Sequence, residues 1–135
     1  MPLLVDTGVL YALADRSDAW HDRVSAYLES SRATLLAPIT VLPEVTYLLR
    51  RRLGIPAEQA FVESLSRGEI AIEDLKRRDW PRIEQIMTDY DQLGFVDSSI
   101  VALSERLKAR ELATTDRRHF SLVKPSHLQR LLLVP

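Results

Sequence analysis

Cysteine is absent from this chain of 135 residues, and glycine is scarce, with only 4. Without cysteine there are no disulfides and no thiolate metal ligands, and a reducing cytoplasm is the expected setting. The 4 Gly and 7 Pro fall at segment boundaries, so no linker, repeat or low-complexity tract divides the chain. Long apolar runs are lacking too. The longest are far too short to span a bilayer, and no membrane partner is expected. The opening Met1-Pro2-Leu3-Leu4-Val5-Asp6 has no basic stretch and meets an acid at once, which does not read as a signal peptide. An excess of one charge is also missing. Eighteen basic residues face 19 acidic ones for a net charge of −1, so composition gives no general pull toward nucleic acid.

What is present is enough apolar material, 46% of residues, to close one core. The length fits a single domain over residues 1–135. Residues 3–5 read as a first strand, followed by a helix from Thr7 to Ala14. Ser17 is placed to cap a second helix, in which Trp20, Val24, Tyr27 and Leu28 recur at helical spacing. Leu35 to Ala37 reads as a strand stopped by Pro38. Thr40 opens a helix that runs through Leu53 and ends at Gly54. A further helix, Pro56 to Ser66, has proline in its first turn. Glu69 to Ile72 reads as a strand with Ile70 and Ile72 on one side. Asp79 caps a helix running to about Leu93, and Asp97 begins another that reaches Arg110. Leu112 to Thr115 and Leu131 to Val134 are the last strands. Strands alternating with helices imply an α/β fold with a parallel sheet covered on both faces. Sites in such folds form outside the carboxyl ends of the strands, near a switch in strand order.

Four acids occupy positions that a core would not choose. Asp6 and Asp116 each follow an apolar strand and would share one edge of a parallel sheet. Each can equally start a turn or cap a helix. Glu44 stands three residues after Val41 and four before Leu48, on the apolar side of its helix. A carboxylate there is costly unless paired or metal-bound, although the helix N-terminus also favours an acid. Asp97 precedes Ile100 and Val101 at plus three and plus four and suits an N-cap as well. Together the four can converge on one cleft, where they cannot all stay ionised unaided. Divalent cations relieve that repulsion, and Mg²⁺ or Mn²⁺ prefers such oxygen ligands. With the four acids neutralised, the overall balance becomes +3. Thr114 points to the same side as Asp116 and can orient it, while Thr7 can support Asp6 or cap the next helix. Arg117 and Arg118 can meet phosphate or form a solvated turn. His21, His119 and His127 are isolated in sequence and read as surface residues.

Leu4-Val5-Asp6-Thr7, Pro43-Glu44-Val45, Leu93-Gly94-Phe95-Val96-Asp97 and Thr114-Thr115-Asp116-Arg117-Arg118-His119-Phe120, in this order and spacing, resemble the PIN-domain ribonucleases. The size is similar to that of the single-domain bacterial VapC toxins. The resemblance implies a three-layer α/β/α fold with a central, mainly parallel sheet of four to five strands. It implies a Mg²⁺-dependent endoribonuclease, with Mn²⁺ as substitute, using Asp6, Glu44, Asp97 and Asp116 as its acidic quartet. It further implies a homodimer held inactive by a VapB-like antitoxin lying along an apolar groove, for which Leu10, Tyr11 and Trp20 are candidates. His119 departs from the pattern, because relatives often carry an acid there. That leaves one or two bound ions open.

In this chemistry an ion-activated water attacks phosphorus in line, and no covalent nucleophile is needed. Glu44 either ligates the ion or positions the water. Two other acid-dependent classes fit less well. A haloacid-dehalogenase phosphatase needs a second Asp two residues after the first, where this chain has Gly8. A receiver-like module needs an acidic pair at the first strand end and a Lys near the last strand, and the segment Leu131 to Val134 brings none. A non-catalytic PIN-like domain that binds RNA or protein is the remaining alternative, and it predicts little metal affinity.

Overall fold

The computed structural model describes residues 2–135. Met1, part of the expected 1–135 domain and of the opening segment, lies outside the described residues. The chain folds in the order β1 (Pro2–Val5), α1 (Thr7–Ala14), α2 (His21–Ser31), β2 (Thr34–Pro38), a 3₁₀ turn (Ile39–Val41), α3 (Leu42–Leu53), α4 (Ile55–Ser66), β3 (Ala71–Glu73), α5 (Asp79–Asp89), α6 (Phe95–Leu107), β4 (Glu111–Ala113), α7 (Arg117–Phe120) and β5 (Leu132–Val134). All neighbouring strands are parallel, in the order β3-β2-β1-β4-β5.

The central place of β1 follows from its sequence. Leu3, Leu4 and Val5 are apolar at consecutive positions, and all three are buried, as in a strand covered on both faces. From β1 the chain moves outward to β2 and β3, then crosses back to place β4 on the other side of β1. Parallel crossovers are almost always right-handed. The outward path therefore lays α1 to α4 on one face, and the return lays α5 and α6 on the other. The packing agrees: α1 lies against α2 and α3, α3 against α4, and α5 against α6. The result is the expected three-layer α/β/α architecture.

Ion pairs fasten the second helical layer. Arg82 grips Glu105 with two hydrogen bonds of 2.7 and 2.8 Å, and Glu105 also accepts the Ser126 N–H. Burial alone would raise the Glu105 carboxyl, but these donors hold it below its ordinary range. Arg106 donates to both oxygens of the buried Asp79 and to Glu73, joining α6, α5 and the end of β3.

Several element ends differ from the sequence reading, each for a local reason. Ser17 does not cap α2. Its N–H and hydroxyl bond to Asp15, and the helix begins at His21 without a side-chain cap. Pro38 completes β2 instead of stopping it, since it leads into the 3₁₀ turn. Thr40 lies in that turn and bonds to Ser99, so α3 starts at Leu42. Gly54, at φ 100°, ends α3 as expected and donates to the Leu49 and Arg50 carbonyls. Asp79 is the first helical residue of α5 and takes the Lys76 N–H, and the helix stops at Asp89 rather than Leu93. α6 runs from Phe95 to Leu107, with Gly94 and not Asp97 at the N-cap. β3 starts at Ala71, so the two-residue period does not reach back to Ile70. Ile70 is buried while Ile72 is exposed on the edge strand. β4 ends at Ala113, and the segment after it turns into α7, a helix the sequence reading leaves as a turn.

Candidate metal centre

The parallel pairing of β1 with β4 aligns Leu4 with Leu112 and Val5 with Ala113. One step further, the Asp6 N–H donates to the Ala113 carbonyl at 3.0 Å. Asp6 and the segment Thr114–Asp116 therefore leave the sheet side by side at its carboxyl edge. β1 is also where the chain's direction of travel across the sheet reverses, the position at which α/β folds form their crevices.

Asp6 is buried, 6% exposed. It caps α1 through Oδ1, which accepts the Val9 N–H at 3.1 Å. Its Oδ2 accepts the Thr114 hydroxyl, and Thr114 Oγ1 in turn accepts the Asp116 N–H at 2.9 Å. Thr114 thus links the two strand-end acids. Burial pushes the Asp6 carboxyl up to about 6. The Thr114 and Val9 hydrogen bonds partly offset this, and the charges of Asp97 and Asp116 add to it.

Asp97 enters from the first turn of α6 and is half-buried. Its carboxyl is also raised, first by burial and then by the Asp116 charge. His119 offsets part of this, and Glu44 adds a little. Thr40 and Ser99 meet at 2.7 Å. Ser99 uses its proton on the Val96 carbonyl, so Thr40 is the donor. This bond ties the turn before α3 to the first turn of α6 and so brings Glu44 toward Asp97. Glu44 itself is exposed, contrary to the inward-facing expectation. The buried stripe of α3 is Val41, Val45 and Leu49, while Leu48 is only half-buried. Glu44 stands just off that stripe, at the mouth of the site.

The four acids, with Thr7, Gly8, Val96, Ile100 and Thr115, line one cavity of about 200 Å³. Thr7 neither caps α1 nor bonds to Asp6. Its Oγ1 is buried and has no partner among the described residues. Gly8 faces Thr115 so closely that a Cβ there would overlap the Thr115 hydroxyl. Alanine normally favours a helix over glycine by about 0.5–1 kcal/mol. Here overpacking reverses the sign, and Gly8→Ala is expected to destabilise by about 1–2 kcal/mol, measured by urea unfolding. Arg117 donates to the Pro135 carbonyl, and Arg118 is exposed.

His119 joins the cluster, against the expectation of a surface residue. Its Nδ1 lies 2.8 Å from Asp116 Oδ2 and 3.9 Å from Asp97 Oδ2. The three side chains form a group able to hold a metal ion. Asp116 caps α7 by accepting the His119 N–H at 3.1 Å, and this single turn folds the imidazole back over its own cap. Helical spacing of Asp116 and His119 at i, i+3 is the signal that would have found the pair. Thr115 was also missed and carries no comparable signal. His21 and His127 bond to the Ala12 and Ala109 carbonyls and lie outside this cavity.

The donor set suits a hard divalent cation. Two of its carboxyls are raised by burial and mutual repulsion, which added positive charge would relieve. The unpartnered Thr7 hydroxyl is a polar group left for something else in the cavity to satisfy.

Carboxylates gathered at the switch point of a parallel α/β/α sheet fit the family that the motifs resemble. The model of the PIN domain matches residues 3–124, and the chain belongs to the PIN-domain family. It is 30% identical over 135 residues to ribonuclease VapC26 of Mycobacterium tuberculosis, covering 98% of this chain and 100% of that protein. Among solved structures it is similar to VapC20 of the same organism, described as a sarcin–ricin loop cleaving toxin. The TM-score is 0.80 at 21% identity, over 89% of this chain and 94% of that one. It is also similar to VapBC2 of Rickettsia felis bound to a fragment of promoter DNA. There the TM-score is 0.72 at 16% identity, over 98% and 97% of the two chains. These structures share the fold of this chain.

Proposed function

We propose that this chain is a single-domain, Mg²⁺-dependent endoribonuclease, with Mn²⁺ as substitute, and the toxin of a cytoplasmic VapBC-type pair. The observation that carries the reading is the convergence of Asp6, Glu44, Asp97 and Asp116 from four separate segments on one cavity. The full-length likeness to a protein named as a ribonuclease supports the choice of RNA as substrate. Among the described residues, no helix is long and apolar enough to cross a membrane.

Asp6, Asp97 and Asp116 would hold the ion, with Glu44 at the mouth as a further ligand or as the group that positions water. When bound, the ion lowers the pKa of water and stabilises charge on the phosphoryl group. The chain's own contribution is order. Thr114 and the Val9 N–H fix the Asp6 carboxylate, and the Asp116 cap fixes the start of α7. The water gives up a proton as its oxygen bonds to phosphorus, the phosphorus–oxygen bond to the leaving ribose breaks, and the released alkoxide takes up a proton. Arg118 is free to meet a neighbouring phosphate, whereas Arg117 is engaged with the Pro135 carbonyl.

An apolar cleft of about 500 Å³ between α1 and α4, lined by Leu10, Leu13, Phe61 and Ile70 among others, is the best-supported seat for a VapB-like antitoxin. Leu10 of the expected groove residues lines it, while Tyr11 packs in the core and Trp20 stacks with Arg23. The exposed Trp80–Phe95 stack, beside Met87, supports a homodimer contact. Purified protein should cut cellular RNA in Mg²⁺ or Mn²⁺ and stop in chelator. Cleavage that persists in chelator rules the metal-dependent reading out.

A further inference from the structure

Resting on that reading, we propose that His119 is an inner ligand of the ion through Nδ1, giving the site a nitrogen donor that raises its affinity for Mn²⁺ relative to Mg²⁺. The three side chains already stand within reach of one ion, their candidate ligand atoms all within 4.8 Å of one another. With ligand bonds of about 2.0–2.2 Å, neighbouring donors in an octahedron lie about 3 Å apart and opposite donors about 4.2 Å apart. Nδ1 lies 2.8 Å from Asp116 Oδ2 and 3.9 Å from Asp97 Oδ2. One ion can therefore touch all three side chains with little rearrangement.

The backbone fixes the ring in this place. α7 contains only Arg117–Phe120, and Phe120 is buried at 2% exposure. The buried Phe120 and the capped Asp116 hold the turn at both ends, and His119 lies between them. Without metal, Nδ1–H donates to Asp116 Oδ2. Ligation requires the Nδ1 lone pair, so the ring proton moves to Nε2. That atom makes no hydrogen bond to the described residues and is not buried, so solvent can receive its proton. The imidazole then replaces a hydrogen bond to Asp116 with a bond to the ion that Asp116 shares.

The nitrogen changes what the site selects. Mg²⁺ is a hard ion suited to oxygen donors, whereas imidazole favours the first-row transition ions. Mn²⁺ accepts both donor types. Replacing His119 is therefore expected to lower the ratio of Mn²⁺ to Mg²⁺ affinity by about tenfold. A histidine that only covers the Asp116 cap would leave that ratio unchanged.

The test is pulsed electron paramagnetic resonance of Mn²⁺ bound to the purified chain, with competition titrations against Mg²⁺. The wild-type protein should show coupling to a directly bound ¹⁴N nucleus. ¹⁵N-histidine labelling should convert it to ¹⁵N coupling, which assigns the nitrogen to a histidine. His119→Gln should lose the coupling, and His119→Asp should bind Mn²⁺ with a ratio shifted toward Mg²⁺. Bound Mn²⁺ with no histidine coupling, or coupling that survives in His119→Gln, would overturn the ligand assignment while leaving the carboxylate site standing. Absence of saturable Mn²⁺ binding in the wild-type chain would overturn the metal site and the ligand together.

Discussion

Asp97→Asn is expected to reduce RNA cleavage on the order of 10³-fold, because a ligand lost from the ion weakens stabilisation worth several kcal/mol in the transition state. The substitution is structurally mild. Asp97 is not the cap of α6, its side chain accepts no hydrogen bond from the described residues, and it is only half-buried. Asparagine has the same shape and removes a charge that burial and Asp116 already oppose. Thermal unfolding in chelator should therefore match or exceed that of the wild type. Unaltered turnover by Asp97→Asn, measured with saturating Mg²⁺, would remove Asp97 from the site.

In chelator, Asp6 should make the protein less stable as pH rises from about 4 to 6. Its carboxyl sits at about 6 in the folded chain, above its ordinary value of 3.8. Between these values the folded chain binds the proton and the unfolded chain has lost it, so raising the pH favours unfolding. Above pH 6 both states are ionised and the penalty is complete, at about 3 kcal/mol. Asp6→Asn removes the titration and should be more stable than the wild type by most of that amount at pH 7. The two should converge below pH 4. Asparagine can still accept the Val9 N–H, so the cap survives the exchange. Denaturant unfolding of both proteins between pH 4 and 7.5 measures the difference. A gap that widens as pH falls would mean that the carboxylate is stabilised in the fold, against the burial argument. Added Mg²⁺ or Mn²⁺ should close the gap at pH 7 by favouring the wild-type carboxylate.

The placement of the strand-end acids was legible in the sequence because each follows an apolar run, and strands of a parallel sheet end at one edge, although each acid also caps the helix that follows it. Pairing of β1 with β4 then brought Asp6 beside Thr114 and Asp116, as the sheet-edge logic required. Thr114 was tied to Asp116 by side-chain alternation, but its hydroxyl also bonds to Asp6, a partner 108 residues away. Local periodicity cannot supply such a pairing. Glu44 lines the same cavity as the other three acids, but not by facing the core as its spacing suggested. The α3 stripe repeats every four residues, which leaves Glu44 at its margin and exposed. His119 read as a surface residue because α7 is a single turn, too short to show an apolar period. The Arg106–Asp79 and Arg82–Glu105 pairs were equally invisible, since they depend on α5 packing against α6. Helix ends were misread where side chains found partners elsewhere. Ser17 turned to Asp15, Thr40 to Ser99, and Asp79 to Lys76 and Arg106.

The order of the strands has a consequence for the chain while it is being made. The acids stand at positions 6, 44, 97 and 116, and β4, which carries the last of them into place, must dock beside β1, the first strand synthesised. A growing chain that has passed Asp97 but not Asp116 holds three of the four acids and lacks the strand that aligns them. The emerging chain on the ribosome therefore cannot assemble this cavity until the segment carrying β4 and Asp116 has left the exit tunnel.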